Sequence, residues 1–330
     1  MKIISNISKF ALILSVVFAF QSCSSDDDNN DGGTPEELNI VETALTAPNL
    51  SSLVAALQAA DGNLDVVLSG NGPYTVLAPT NDAFATFLSD NGFANLDEVP
   101  TDVLSQILLN HVISADVTST DLTTMGSGYT STNADGVGGN KLSLYFNTSS
   151  GVTFNGISTV TTPDIDASNG TVHIVDAVIG LPDVVTFATA DPNFSTLVTA
   201  LTRDDLTFDY VTTLSTANGT APAPFTVFAP TNDAFGDLLT ELSLNSLSDI
   251  DEPTLKATLD HHAVAGANVR STALMDDMTV STLGGDITAN VTGGATLTDM
   301  NDRVSNIIAV DVQATNGVIH AIDKVILPPL

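Results

Sequence analysis

The side chains of this chain best suited to proton transfer or metal ligation are its five histidines, His111, His173, His261, His262 and His320. Imidazole changes charge near neutral pH and is a common metal ligand. Their settings argue against both uses. His111 and His262 end amphipathic helical patterns, where a ring packs and bonds a last-turn carbonyl, and where any charge suits the helix dipole. His173 and His320 lie in the most apolar strand-like runs of the chain. A dyad of His173 with Asp176 fails on geometry, because an odd spacing in a regular strand sends the two side chains to opposite faces. A buried histidine satisfied by backbone is therefore the expectation at each position. No G-x-S-x-G elbow, H-E-x-x-H helix or G-x-x-x-x-G-K-S/T loop occurs, so the usual routes to hydrolase or nucleotide chemistry lack their geometry. Asp27, Asn29, Asp31 and Gly32 imitate the start of an EF-hand loop, but its twelfth position is Leu38, not the bidentate Glu that calcium requires. The expectation is no enzyme, no metal and no cofactor.

The elements that must position these residues occur twice. Thr75 to Phe84 reads TVLAPTNDAF, and Thr226 to Phe235, 151 positions on (226 − 75), reads TVFAPTNDAF. Asn169 to Ile179, NGTVHIVDAVI, returns 147 positions on (316 − 169) as NGVIHAIDKVI from Asn316. Such self-similarity marks a tandem duplication, with domains over 38–182 and 183–330 and almost no linker between them. Each unit reads the same way. A helix is signalled at Pro48 to Val54 and at Pro192 to Val198, where a polar residue precedes an apolar stripe. A β-branched and aromatic strand follows at 74–78 and 225–229, stopped by proline. Thr80, Asn81 and Asp82, and likewise Thr231, Asn232 and Asp233, then cap a new helix. A further helix runs from Pro100 to His111. Short alternating runs such as Leu142 to Phe146 read as antiparallel strands, and an Asn-Gly turn enters the last strand. Helices first and strands later argue for an α+β fold.

Residues 1–22 pair Lys2 and Lys9 with an apolar run, Phe10 to Phe20, too short to span a bilayer and suited to a signal peptide. Cys23 is the only cysteine, which excludes structural disulfides and cysteine-bound zinc. Phe20-Gln21-Ser22-Cys23 resembles a bacterial lipobox, and the acidic Ser24 to Asp28 that follows resembles the surface-export signal of Bacteroidetes lipoproteins. Lipidation of Cys23, a disordered acidic tether over 23–37 and an outer-membrane lipoprotein exposed at the cell surface are the expectations, the membrane being met through the anchor alone. The formal charge is −31, or −33 once Lys2 and Lys9 leave with the signal (−31 − 2). Six scattered basic residues then remain, too few for phosphate contacts, so nucleic acid is excluded as a partner.

Both blocks, with Leu109-Asn110-His111-Val112 between them in one copy and Leu259-Asp260-His261-His262 in the other, resemble the signature segments of the fasciclin domain family. The resemblance covers nearly all of 38–330. It departs from the family where a tyrosine often precedes the helix-end histidine, since Asn110 and His261 stand there. The resemblance implies two wedge-like β-sandwich domains with helices alongside, adhesive contact with carbohydrate or a surface or matrix protein, and no characteristic catalysis. Asp164-Ile165 is similar to an Asp-Ile motif proposed for integrin contact in animal members, and Asp311-Val312 is its counterpart. On the other reading Asp164 and Asp311 cap a turn while Ile165 and Val312 are core. An accessory hydrolase and a purely structural envelope lipoprotein remain as alternatives.

Overall fold

Backbone capping sets where the first described helix begins. The computed structural model describes residues 37–329; the signal, Cys23 and the acidic tether up to residue 36 lie outside the described residues. Asn39 caps the first helix with a reciprocal box to Glu42, so two otherwise orphaned amides at the helix start are satisfied at once. The first lobe then runs α1 (Ile40–Thr46), α2 (Ser51–Ala59), α3 (Leu64–Ser69), β1 (Tyr74–Pro79), α4 (Asn81–Asp90), α5 (Thr101–Leu109), β2 (Val112–Ile113), α6 (Ser119–Met125), β3 (Ser127–Asp135), β4 (Lys141–Asn147), β5 (Thr153–Phe154), β6 (Ser158–Ala167) and β7 (Gly170–Val175). The second runs α7 (Val184–Ala190), α8 (Ser195–Leu201), α9 (Tyr210–Leu214), β8 (Phe225–Pro230), α10 (Asn232–Glu241), α11 (Glu252–Asp260), β9 (Ala263–Ala265), β10 (Met278–Ser281), β11 (Asp286–Asn290), β12 (Thr296–Thr298), β13 (Val304–Gln313) and β14 (Gly317–Ile322).

Each lobe holds one seven-stranded sheet, in the order β2-β1-β7-β6-β5-β4-β3 and, equivalently, β9-β8-β14-β13-β12-β11-β10. The repeated blocks are the centre of it. β1 pairs parallel with β7, and β8 with β14; parallel strands covered on both faces read as continuous apolar runs, which is what TVLA and VHIV are. Alternation then assigns the faces. Val76 and Ala78 pack on the helices with Leu53, Phe84 and Leu104, whereas Leu77 packs inward on Leu144, Phe146 and Phe154 from β4 and β5. The long β6, broken by two register shifts, carries the sheet round so that its two halves enclose that second core. The fold is α+β, two domains of one topology.

The Asn-Gly pair has a structural cause in both lobes. A Cβ at Gly170 would overlap the Tyr74 carbonyl, and one at Gly317 the Phe225 carbonyl, so no other residue fits the close approach. Asn169 meanwhile accepts from the Ile40 amide (3.0 Å) and donates to the carbonyls of Leu68 (2.8 Å) and Gly70 (2.7 Å). Asn316 does the same for Val184, Leu214 and Thr216. One carboxamide thereby satisfies the start of the first helix and the end of the third.

All described residues form a single compact unit, both lobes included. Tyr145 of β4 is buried inside the helical core of the second lobe. The Tyr129 hydroxyl donates to Asp191 Oδ2 at 2.9 Å, with its ring edge-on to Phe187 at 5.7 Å, and the buried Gln313 amide donates to Ser143 Oγ at 2.9 Å. No single helix among the described residues is long and apolar enough to cross a membrane.

Candidate functional site

Four of the five imidazoles sit where two elements must be joined, and their partners fix their tautomers; His261 meets only the Ala257 carbonyl of its own helix and leaves its buried Nε2 without a partner. His111 follows α5. Its Nδ1 faces the Ile107 carbonyl at 2.7 Å and its Nε2 faces the Ile179 amide at 2.9 Å. A carbonyl can only accept and an amide can only donate, so Nδ1 carries the proton and Nε2 the lone pair. His262 repeats the arrangement with Thr258 O (2.8 Å) and the Ile326 amide (2.9 Å). Both rings are buried, and burial pushes each pKa down to about 4 against the opposing pull of the helix carbonyl.

His173 and His320 carry the other tautomer. His173 Nε2–H donates to Val117 O at 2.9 Å, and Nδ1 accepts from the Asp164 amide at 3.1 Å. His320 Nε2–H donates to Val269 O at 2.8 Å, and its Nδ1 accepts from the Asp311 amide at 3.4 Å; burial lowers its pKa. Each ring of these four has both nitrogens spent on backbone, which leaves no lone pair for a metal and no proton for a substrate. Among the described residues no group of three His, Cys, Asp or Glu side chains could hold a metal ion.

The carboxylate nearest a histidine is Asp164 rather than Asp176. It lies 3.9 Å from His173 Nδ1, yet that nitrogen already takes Asp164's own amide proton, so the two do not form an acid-base dyad. Asp176 instead accepts from the Thr159 amide. Asp164 and Asp311, read as turn caps, do cap, and the turn they cap lies in a distant segment. Both stand at bulges of β6 and β13 with φ of 57° and 61°, left-handed values that Asp tolerates. Their carboxylates cap a distant segment: Asp164 takes the Ser119 amide (2.7 Å) and hydroxyl at the start of α6, and Asp311 takes the Ser271 amide (2.8 Å) and hydroxyl (2.7 Å). Burial raises both carboxyls, but the serine bonds, with His173 in one case and Arg270 and His320 in the other, outweigh it and hold them below the ordinary range. Ile165 packs half-buried on the helical core and Val312 is 5% exposed, so Val312 offers almost no surface to a partner.

The Thr-Asn-Asp triplets divide their labour. Thr80 and Thr231 are the caps, accepting from Ala83 and Ala234. Asn81 does not cap its own helix. It accepts from the Ser52 amide (2.8 Å) and donates to Pro48 O (3.0 Å), fastening α2 to α4, and Asn232 does so for Thr196 and Pro192. Asp82 and Asp233 remain exposed in the first helical turn.

Sequence reading missed a concave surface at the seam. A groove of about 630 Å³ follows the seam between the lobes, lined by Tyr129, Tyr145, Asp191, Asn193, Asp233, Asp237 and Asp323 among others, with no Lys or Arg. Asp191 is buried and takes the Tyr129 hydroxyl proton. Burial and that carboxylate hold the tyrosine's pKa well above its ordinary value. Asp233 and Asp237, one helical turn apart on α10, are exposed at the rim. The groove exists only because two copies are docked, and no local pattern in either copy announces it.

Comparison with known proteins agrees with this geometry. The fasciclin domain model matches residues 48–182 and 192–328. A Synechocystis protein, sll1483, is 37% identical over 146 residues, covering 44% of this chain and 75% of its own length. The pig transforming growth factor-beta-induced protein ig-h3 is 28% identical over 272 residues, 79% of this chain but 35% of that protein. The cell surface glycolipoprotein MPB83 of Mycobacterium bovis is 33% identical over 146 residues, 44% of this chain and 60% of its own. Among solved structures, a FAS1 domain pair from the insect cell adhesion molecule fasciclin I aligns with a TM-score of 0.50 and 20% identity, covering 84% of this chain and 97% of that one. That last likeness concerns the fold.

Proposed function

This chain belongs to the fasciclin domain family, and from that premise we propose that it is a non-catalytic adhesion module of the cell surface, whose interlobe groove binds a glycan or a hydrogen-bonding segment of a surface or matrix protein. The observation that carries the reading is the distribution of polar chemistry. Inside, the four clip imidazoles and the motif asparagines are consumed by backbone. Outside, the groove gathers tyrosine, amide and carboxylate groups in one open concavity, the kind of surface that orients a polar ligand. One relative supports a surface setting by name, the cell surface glycolipoprotein MPB83.

Cys23, outside the described residues, would carry the lipid, and the acidic segment after it would act as the tether. Many anchored copies turn weak single contacts into avidity. Binding of the full chain to glycan and matrix-protein arrays tests the module. Saturable binding weakened tenfold or more by Asp233→Ala with Asp237→Ala is expected, whereas binding untouched by that pair removes the groove, and binding to nothing on either array counts against adhesion. For the anchor, Cys23→Ala is expected to abolish palmitate labelling; normal labelling would contradict it.

A further inference from the structure

The helical side of the second lobe contains an apolar pocket of about 180 Å³, and the matching place in the first lobe holds about 20 Å³. The two are built from equivalent positions: Val184, Ala188, Leu197, Leu214, Val227 and Ile319 in the second lobe against Ile40, Ala44, Leu53, Leu68, Val76 and Val172 in the first. At these six positions smaller walls do not explain the difference. The one methylene lost from Ile40 to Val184 is regained from Val172 to Ile319, and the other four pairs are identical.

What differs is the third helix. In the first lobe α3 begins with buried Leu64, which joins the helical core. In the second, Tyr210 opens α9 and its hydroxyl reaches α11, donating to Asp260 Oδ1 (2.6 Å) with Lys256 O at 3.1 Å. The space between α7, α8 and α9 is open in this lobe. The mouth is formed by exposed Thr189, Thr202 and Val211, and the floor by buried Leu197, Leu214 and Ala229.

We propose that this pocket is a binding site for an aliphatic chain end of about six to eight carbons carried by a small neutral amphiphile, the volume being slightly above that of an engineered cavity of about 150 Å³ that stays dry and takes benzene. The chemistry of the walls sets the class. No charged group and no aromatic ring lines the pocket, so there is neither a counter-ion for an ionic tail nor a ring partner to favour an aromatic ligand. Both threonine hydroxyl protons at the mouth are spent on helix carbonyls, Thr189 on Val185 and Thr202 on Val198. The buried part of a ligand must therefore be hydrocarbon, and its head must stay at the mouth, where only hydroxyl acceptors meet it. The site is separate from the interlobe groove and stands whether or not that groove binds glycan.

The test is a methyl-detected NMR titration of the full chain with 1-octanol. Saturable shifts confined to methyls of Val184, Leu197, Val198, Leu214 and Ile319, with the first-lobe methyls of Ile40, Leu53 and Val76 unmoved, are the expected result. Ala188→Leu, which fills the pocket, is expected to weaken binding tenfold or more. Should that variant fail to fold, Val184→Ile, the residue the first lobe carries, is expected to weaken it several-fold. Absent shifts, equal shifts in both lobes, or affinity unchanged in the filled variants would overturn the proposal. Binding to neutral phosphatidylcholine vesicles in preference to octanol, lost in the same variants, would overturn the free amphiphile as the source of the chain.

Discussion

The two lobes agree wherever a motif side chain meets backbone and part at the residue before the helix-end histidine, where one copy uses a side-chain partner. His111 and His262 hold the same two backbone groups, as do Asn169 and Asn316, and Asn81 and Asn232. One position earlier the lobes part. Asn110 donates to Gly180 O and accepts from the Thr132 hydroxyl. His261 bonds only Ala257 O through Nδ1, and its buried Nε2 has no partner beneath Gly284 and Gly285. A backbone partner is present whatever residue stands there, so it constrains the motif permanently. A side-chain partner can change, and the motif position then drifts with it. The apolar pocket also separates the lobes, with Tyr210 standing where the first lobe has Leu64.

Breaking the shared clips should have the largest effect. His111→Ala and His262→Ala each strand a buried amide and a buried carbonyl and open a cavity, which should lower unfolding free energy by about 4 kcal/mol in urea titrations. Comparable losses in both would support the equivalence of the lobes, and a near-neutral loss in either would break it. Acid should act through the same rings. A histidine whose folded pKa lies at about 4, below the ordinary 6.5, stabilises the fold above pH 6.5, and that contribution is lost as pH falls from 6.5 toward 4. The loss is about 3 kcal/mol per clip. Relief of repulsion among the many carboxylates acts in the opposite sense, so the informative quantity is the wild-type slope minus that of His111→Gln, measured by urea midpoints at each pH. Smaller still is the seam. Tyr129→Phe removes the hydrogen bond donated to buried Asp191 and should cost about 1 to 2 kcal/mol, with a single melting transition broadening or splitting; a melt identical to wild type would mean that the lobes are coupled through other contacts.

Much of the architecture was legible because it is written in local periodicity: the duplication, the β1 and β7 runs, the capping threonines and the helix-end histidines all sit within a few residues of their cause. What escaped was short or distant. Helices α1, α3 and α6 span six or seven residues each, under two turns, so no apolar stripe develops. The boxes Asn39 with Glu42 and Thr118 with Asp121 were the available signals. Asp164 finds Ser119 across 45 residues, and Tyr129 finds Asp191 across 62, separations at which spacing carries no information. The groove arises from docking and the apolar pocket from the packing of three short helices, neither of which a motif records.

The claim beneath all of this is that the motif imidazoles are neutral structural clips, and it is read most directly by the ring nitrogens themselves. Long-range proton–nitrogen NMR of the folded chain between pH 7.5 and 5 should find His111 and His262 protonated at Nδ1, His173 and His320 at Nε2, with the resonances of His111 and His262 unmoved across that range and none of the four shifted by added zinc. A ring among the four in the opposite tautomer or responding to zinc, or either His111 or His262 titrating near 6.5, would contradict it.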